Sequence, residues 1–202
     1  FVCASAGNHA QGVAYMCRYF DVTGTIFMPV TTPQQKIQKT TIFGGENVSI
    51  QLVGDYFDDC LKAAQNFCQE QGAHFLSPFD DADVIEGQAS VAVEIERQLG
   101  GTPDHIVLPV GGGGLSSGLL SYFGTTSQFT LVEPLGGACL WAALIAGKPV
   151  KLDKVDTFAD GAAVGQIGQR TFECLKSIGL ANVLRIPEDR IFITGLDPGL
   201  GC

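Results

Sequence analysis

Positive charge is scarce in this chain. Of its 202 residues, 12 are Lys or Arg against 21 Asp or Glu, a formal net charge of −9. A general binder of nucleic-acid backbone needs a basic face, so nucleic acid is excluded as a partner. Paired cysteines are missing as well. The 7 cysteines, at positions 3, 17, 60, 68, 139, 174 and 202, show no Cys-x-x-Cys spacing and are odd in number. That counts against a disulfide framework and a structural zinc, and no metal is expected. Reduced, mostly buried thiols in a cytoplasmic protein are the expectation. Long apolar runs are absent too, so neither a signal peptide nor a membrane span is expected. Histidine occurs only as His9, His74 and His105. With 46% apolar and 16% charged residues, the chain can fill a core and carries too little charge for disorder.

What is present is a steady alternation of strand-like apolar runs and helix-period segments. Strands are expected at 1–4, 24–29, 48–53, 73–76, 104–110, 128–132, 183–186 and 191–194. Helices are expected at 9–20, 33–43, 55–71, 83–99, 115–122, 138–146 and 171–178. Ala10, Val13, Ala14 and Cys17 share one helical face, as do Phe57, Leu61, Ala64 and Cys68. Buried strands alternating with helices imply an α/β fold, with open, mostly parallel sheets and helices on both faces. The Pro and clustered acids of Ser77-Pro78-Phe79-Asp80-Asp81 break the rhythm, so domains are expected at 1–80 and 81–202. Phe1 opens the chain in a strand already under way, and a Gly- and Pro-rich stretch, 195–202, closes it. An internal piece of a longer protein is the expectation.

The strongest chemical signal is Gly111-Gly112-Gly113-Gly114-Leu115-Ser116-Ser117-Gly118. A strand enters it and a helix leaves it. Without side chains, successive backbone N–H groups can converge on one anion, and the helix adds its positive N-terminal end. A dinucleotide G-x-G-x-x-G fails because its last position falls on Ser116 or Ser117, and a P-loop fails because Leu119 follows Gly118 where Lys would stand. A hydrolase elbow, G-x-S-x-G, does match at 114–118 and would make Ser116 a nucleophile. All three histidines precede it, whereas that mechanism takes its base from later in the chain.

The second signal is Ser5-Ala6-Gly7-Asn8-His9-Ala10-Gln11-Gly12, again between a strand and a helix. Asn, Ser and free N–H groups there could hold a carboxylate or a phenolic oxygen. Alternatively, Ser5 or Asn8 only caps the helix. Ligands of open α/β sheets sit at the carboxyl ends of strands, which favours the binding reading for both loops. Weaker candidates are Glu86, the Phe158-Ala159-Asp160-Gly161 turn, and Glu133, a buried acid that needs a partner. His9 and His105 read as structural.

Taken together, these strings resemble the pyridoxal-phosphate enzymes of the tryptophan-synthase-β class, fold type II, and within it the threonine dehydratases. The resemblance rests on Ala4-Ser5-Ala6-Gly7-Asn8-His9-Ala10-Gln11-Gly12, Met28-Pro29 with Thr32-Pro33-Gln34-Gln35-Lys36, and Asp83-Val84-Ile85-Glu86-Gly87-Gln88. It also rests on Gly111-Gly112-Gly113-Gly114-Leu115, Val132-Glu133-Pro134 and Phe158-Ala159-Asp160-Gly161. They run in family order from residue 1 to about 193; residues 195–202 do not resemble the family.

The resemblance implies pyridoxal 5′-phosphate as cofactor, its phosphate on Gly111, Gly112, Gly113, Gly114 and Leu115. It puts Asn8 on the cofactor's phenolic oxygen and Gly161 beside its ring. Ser5, Ala6, Gly7, Asn8 and His9 would line the substrate carboxylate. In the similar serine racemases a serine that serves as base stands at Ala6, so the alanine implies a lyase. The family's Schiff-base lysine lies upstream in a Lys-x-Arg-Gly-Ala segment not found here, so no catalytic residue is assigned. The family's metal-site members use a carboxylate where Cys139 stands. The implied activity is deamination of L-threonine, and possible use of L-serine, by a cytoplasmic homo-oligomer. Alternatives are a serine dehydratase, a serine or aspartate racemase, or a non-catalytic truncated remnant.

Overall fold

A computed structural model describes residues 1–55, 57–159 and 161–191. The chain divides into two compact units, one from Phe1 to Asp81 and one from Ala82 onward.

The first unit is built on three parallel strands, β1 (Val2–Ala4), β2 (Gly24–Met28) and β3 (Val48–Leu52), in that order. Val2 pairs with Thr25, and Gly24 with Val48. Side chains alternate across a strand, and here both faces are covered. Cys3, Ile26 and Met28 pack on Ala10, Val13, Ala14 and Cys17 of α1 (Asn8–Tyr19). Val2, Ala4 and Phe27 pack on Cys60 and Ala64 of α3 (Phe57–Gln71). Between these helices in sequence, α2 (Gln34–Gly44) packs beside α1. The expected strand at 73–76 reduces to one bridge, Val2 with Phe75. The chain turns away at once, at Ser77-Pro78, where Ser77 Oγ accepts the Asp80 N–H at 3.0 Å.

The second unit again carries three parallel strands, β4 (His105–Pro109), β5 (Gln128–Pro134) and β6 (Val183–Ile186), in that order. His105 pairs with Gln128, and Leu131 with Val183. Ile106, Leu108, Phe129 and Leu131 form one core with side chains of α4 (Ala82–Leu99), α5 (Gly114–Phe123), α6 (Cys139–Ala146) and α7 (Gln169–Leu175). Val107, on the opposite face of β4, is 64% exposed. Gly118 brings α5 against the backbone of α4; a Cβ there would stand 2.7 Å from Ala89 N and 2.8 Å from Ile85 O. The expected helix at 171–178 starts earlier and tightens into a 3-10 turn over its last three residues. The strand expected at 191–194 lies outside the described residues beyond Ile191. Among the described residues no helix is long and apolar enough to cross a membrane.

Candidate functional site

In each unit the first strand delivers one of the two sequence-predicted loops at its carboxyl end. In the second unit, Val110 N–H still donates to Val132 O at 2.8 Å, and residues 111–113 then turn into α5. Gly113 has φ +91, a region that glycine reaches without steric penalty. A Cβ on Gly113 would stand 2.9 Å from Thr171 Cβ, and one on Gly111 would stand 3.2 Å from Val164 Cγ2 and 3.3 Å from Gly161 O. Packing and backbone conformation therefore demand glycine at 113 whether or not a ligand is present, and the fit at Gly111 is tight.

The polar groups of the loop carry more information. Cys139 Sγ lies 3.4 Å from Gly111 O, Thr171 Oγ1 lies 2.7 Å from Gly112 O, and Ser117 N–H donates to Gly113 O at 2.8 Å. Every carbonyl of the turn is thus engaged on the protein side. Among the described residues, the N–H groups of Gly112 and Gly113 have no intramolecular acceptor, although both residues are buried. Unpaired donors in buried backbone are rare, because each costs about a lost hydrogen bond. The N-terminus of α5 adds to them: it has no side-chain cap and no acidic residue in its first turn. Gly114 is buried and Leu115 half-buried against the core. This set of donors fits a phosphate group.

Ser116 is not an exposed nucleophile. It is 1% exposed and its Oγ lies 3.4 Å from Pro109 O. The G-x-S-x-G match reflects close helix packing at Gly118, not a catalytic elbow.

Glu133, at the end of β5, is fully buried. Its Oε1 accepts the Leu140 N–H at 2.7 Å and its Oε2 accepts the Trp141 N–H at 2.9 Å. The partner that sequence could not name is thus the first turn of α6. Burial pushes the Glu133 carboxyl above the ordinary carboxylate range, against the pull of these N–H groups. Burial, and then the Glu133 charge, push the Cys139 thiol up to about 12. Among the described residues no cluster of three metal-ligating side chains occurs.

In the first unit, Ser5 N–H donates to Phe27 O at 3.0 Å, and Ser5 Oγ accepts the Gly7 N–H at 3.1 Å. Neither Ser5 nor Asn8 caps α1; Gly7 occupies the cap position with no side-chain bond, and the first turn holds no acid. Asn8 is exposed, and Ala6 packs partly against the α1 face of the core. His9 Nε2 lies 3.1 Å from Leu76 O. Burial lowers the His9 pKa below its ordinary value, with the Leu76 bond opposing. The backbone N–H groups of the uncapped α1 N-terminus and the exposed amide of Asn8 can receive a carboxylate, whereas the one ring proton of His9 is spent on Leu76 O.

Gly161 lies beside Gly111, as its carbonyl distance shows, whereas Asp160 lies outside the described residues. Glu86 is exposed and lines a groove of about 610 Å³ with residues of α5 and α7, among them Tyr122 and Cys174. His105 Nε2 sits 2.8 Å from Thr130 Oγ1 on the surface. Thr171 was not foreseen: its partner lies 59 residues away, and a threonine early in a helix carries no local sign of such a bond.

Comparison with known proteins adds the following. Residues 1–195 match the family described as pyridoxal-phosphate dependent enzyme. The biosynthetic L-threonine dehydratase IlvA of Bacillus subtilis is 45% identical over 193 residues, covering 94% of this chain and 46% of its own length. That of Lactococcus lactis is 46% identical over 202 residues, covering 97% and 48%. Processed threonine deaminase isoform 2 of Solanum lycopersicum superposes with a TM-score of 0.82 at 38% identity, covering 92% of this chain and 54% of that one. Maize serine racemase also reaches 0.82, at 25% identity, covering 93% and 56%. The chain spans about half the length of the curated relatives it matches.

Proposed function

Since this chain belongs to the family of pyridoxal-phosphate-dependent enzymes, we propose that the whole protein is a threonine dehydratase, deaminating L-threonine to 2-oxobutanoate and ammonia. The observation that carries the reading is the turn between β4 and α5, whose carbonyls are all engaged inward while Gly112 and Gly113 keep free N–H groups. When bound, pyridoxal phosphate withdraws electrons from the substrate's Cα, which acidifies the Cα–H bond and lets the β-hydroxyl leave.

The chain's own residues bind and orient. Gly112 and Gly113 donate N–H groups to the phosphate, with the positive end of α5 behind them. Asn8 offers its side-chain amide to the phenolic oxygen. Ser5, Gly7, Asn8 and the backbone N–H of His9 receive the substrate carboxylate, and this anchoring sets the direction of the Cα–H bond. We read the first unit as the substrate-side domain and the second as the phosphate-binding one. Ala6 has no exchangeable proton. A methyl group where similar racemases carry a serine favours elimination over return of a proton to the opposite face. The same resemblance extends the reading to a cytoplasmic homo-oligomer, which light scattering and cell fractionation would test.

The deciding experiment supplies the whole protein with pyridoxal phosphate and L-threonine or L-serine, and follows 2-oxo acid and chiral amino-acid products. The expected result is 2-oxobutanoate from threonine and almost no D-serine from serine. Absence of 2-oxobutanoate overturns the activity, and abundant D-serine overturns the role of Ala6.

A further inference from the structure

A peptide unit is planar and trans, so its C=O and the N–H of the following residue point in opposite directions. Fixing one fixes the other. In the turn before α5, the Gly112 carbonyl lies 2.7 Å from Thr171 Oγ1, and Gly113 N–H belongs to the same peptide unit. The Gly111 carbonyl lies 3.4 Å from Cys139 Sγ, and Gly112 N–H belongs to that unit. The two side chains come from α7 and α6, so the two free donors are directed away from those helices.

Thr171 is fully buried. Its Oγ1 also lies 3.2 Å from Gly168 O, but the contact with Gly112 O is the shorter. Ser117 Oγ reaches Thr171 O at 3.4 Å, tying the first turn of α5 to the same residue. The side chain of Thr171 fills the space that a Gly113 side chain would need, since a Cβ there would stand 2.9 Å from Thr171 Cβ and 3.0 Å from its Oγ1. Thr171 therefore fixes the turn twice, by volume under Gly113 and by a hydrogen bond to Gly112.

We infer that Thr171 is a positioning residue for anion binding: by holding the Gly112 carbonyl, its hydroxyl aims the Gly113 N–H at the phosphate. The inference rests on the reading that this turn holds a phosphate. The hydroxyl is the group that matters, because valine would keep the shape and lose the bond.

The test uses the whole protein as wild type, Thr171→Val and Thr171→Ser. Affinity is measured for pyridoxal phosphate and for pyridoxal, which lacks the phosphate. Thr171→Val is expected to weaken pyridoxal phosphate by about tenfold, the scale of one hydrogen bond to a charged group, and to leave pyridoxal unchanged. Thr171→Ser restores the wild-type value. Equal loss for both ligands, or no loss in Thr171→Val beyond a lower melting temperature, overturns the inference while leaving the phosphate reading intact. Wild type that fails to prefer pyridoxal phosphate over pyridoxal overturns both. Should Thr171→Val not fold, glycine-labelled wild-type protein decides. Inorganic phosphate must shift the Gly113 amide resonance, and in Thr171→Ser must shift it likewise; a stationary Gly113 signal in the wild type overturns both readings, and a wild-type shift that is lost in Thr171→Ser, which keeps the hydroxyl, overturns the inference alone.

Discussion

The carboxylate of Glu133 accepts the backbone N–H of Leu140 at 2.7 Å, joining the end of β5 to the start of α6 beneath the glycine turn. A second bond, from Trp141 N–H, completes a bidentate cap. The next residue back, Cys139, is the one that reaches Gly111 O. The acid therefore stabilises a helix start that in turn supports the glycine turn.

Glu133→Ala removes both acceptors and leaves one buried and one half-buried N–H group unpaired, with an expected loss of about 2–4 kcal/mol in urea denaturation. Glu133→Gln keeps one acceptor and loses less. Because burial raises the folded-state pKa, the folded chain binds this proton more tightly than the unfolded one. Wild-type stability therefore falls as pH rises from the ordinary carboxylate range through the folded value. Glu133→Gln lacks that component. Identical pH slopes for the two proteins would contradict the assignment.

His9 titrates in the opposite sense. Burial lowers its pKa from 6.5, so the neutral ring prevails at neutral pH, with Nε2–H facing Leu76 O. Its contribution is complete above the unfolded value and is lost as pH falls through the folded one. A nitrogen-detected NMR titration is expected to give a midpoint for His9 below 6.5. A midpoint at or above it would show that the ring is solvated.

Gly118→Ala and Gly87→Ala form a matched pair. The first drives a methyl group into the α4 backbone at 2.7 Å, whereas the second meets nothing within 4 Å. Overpacking costs about 1–3 kcal/mol, and alanine in an open helical position gains about 0.5–1 kcal/mol over glycine. Melting temperatures are expected to move in opposite directions.

Thiol labelling separates the cysteines. Cys3 and Cys139 are buried and pushed up to about 12, whereas Cys174 is half-exposed. The thiolate is the reactive form. Iodoacetamide in mildly alkaline buffer is expected to modify Cys174 at least about a hundredfold faster than Cys3 or Cys139, read by peptide mapping. Rapid loss of Cys139 would mean that the helix start it occupies opens in the native protein.

Much of the fold was legible because buried parallel strands and helices leave local marks. The stripe of Ala10, Val13, Ala14 and Cys17 announced α1, and all four residues are buried. The glycine run announced a strand-to-helix turn, and Gly113 at φ +91 occupies it. What could not be read were pairings across long sequence separations. Glu133 visibly lacked a partner, but nothing in the letters named Leu140 and Trp141. Thr171 gave no sign at all, because its bond to Gly112 depends on how α7 returns to the sheet. The segment 73–76 misled for a different reason: its apolar residues pack beside β1, but Ser77-Pro78 ends the pairing after one bridge.

The inward-held carbonyls of the glycine turn bear on how fast and how cheaply a ligand is captured. Flexible glycine loops normally surrender conformational entropy on binding, and that loss weakens affinity. Here the freedom of Gly112 and Gly113 is given up when α6 and α7 pack, during folding. On the proposed phosphate-binding role, an arriving anion meets donors already fixed in direction. Association is then limited by encounter and not by loop closure, and is expected to follow a single phase whose rate falls with solvent viscosity.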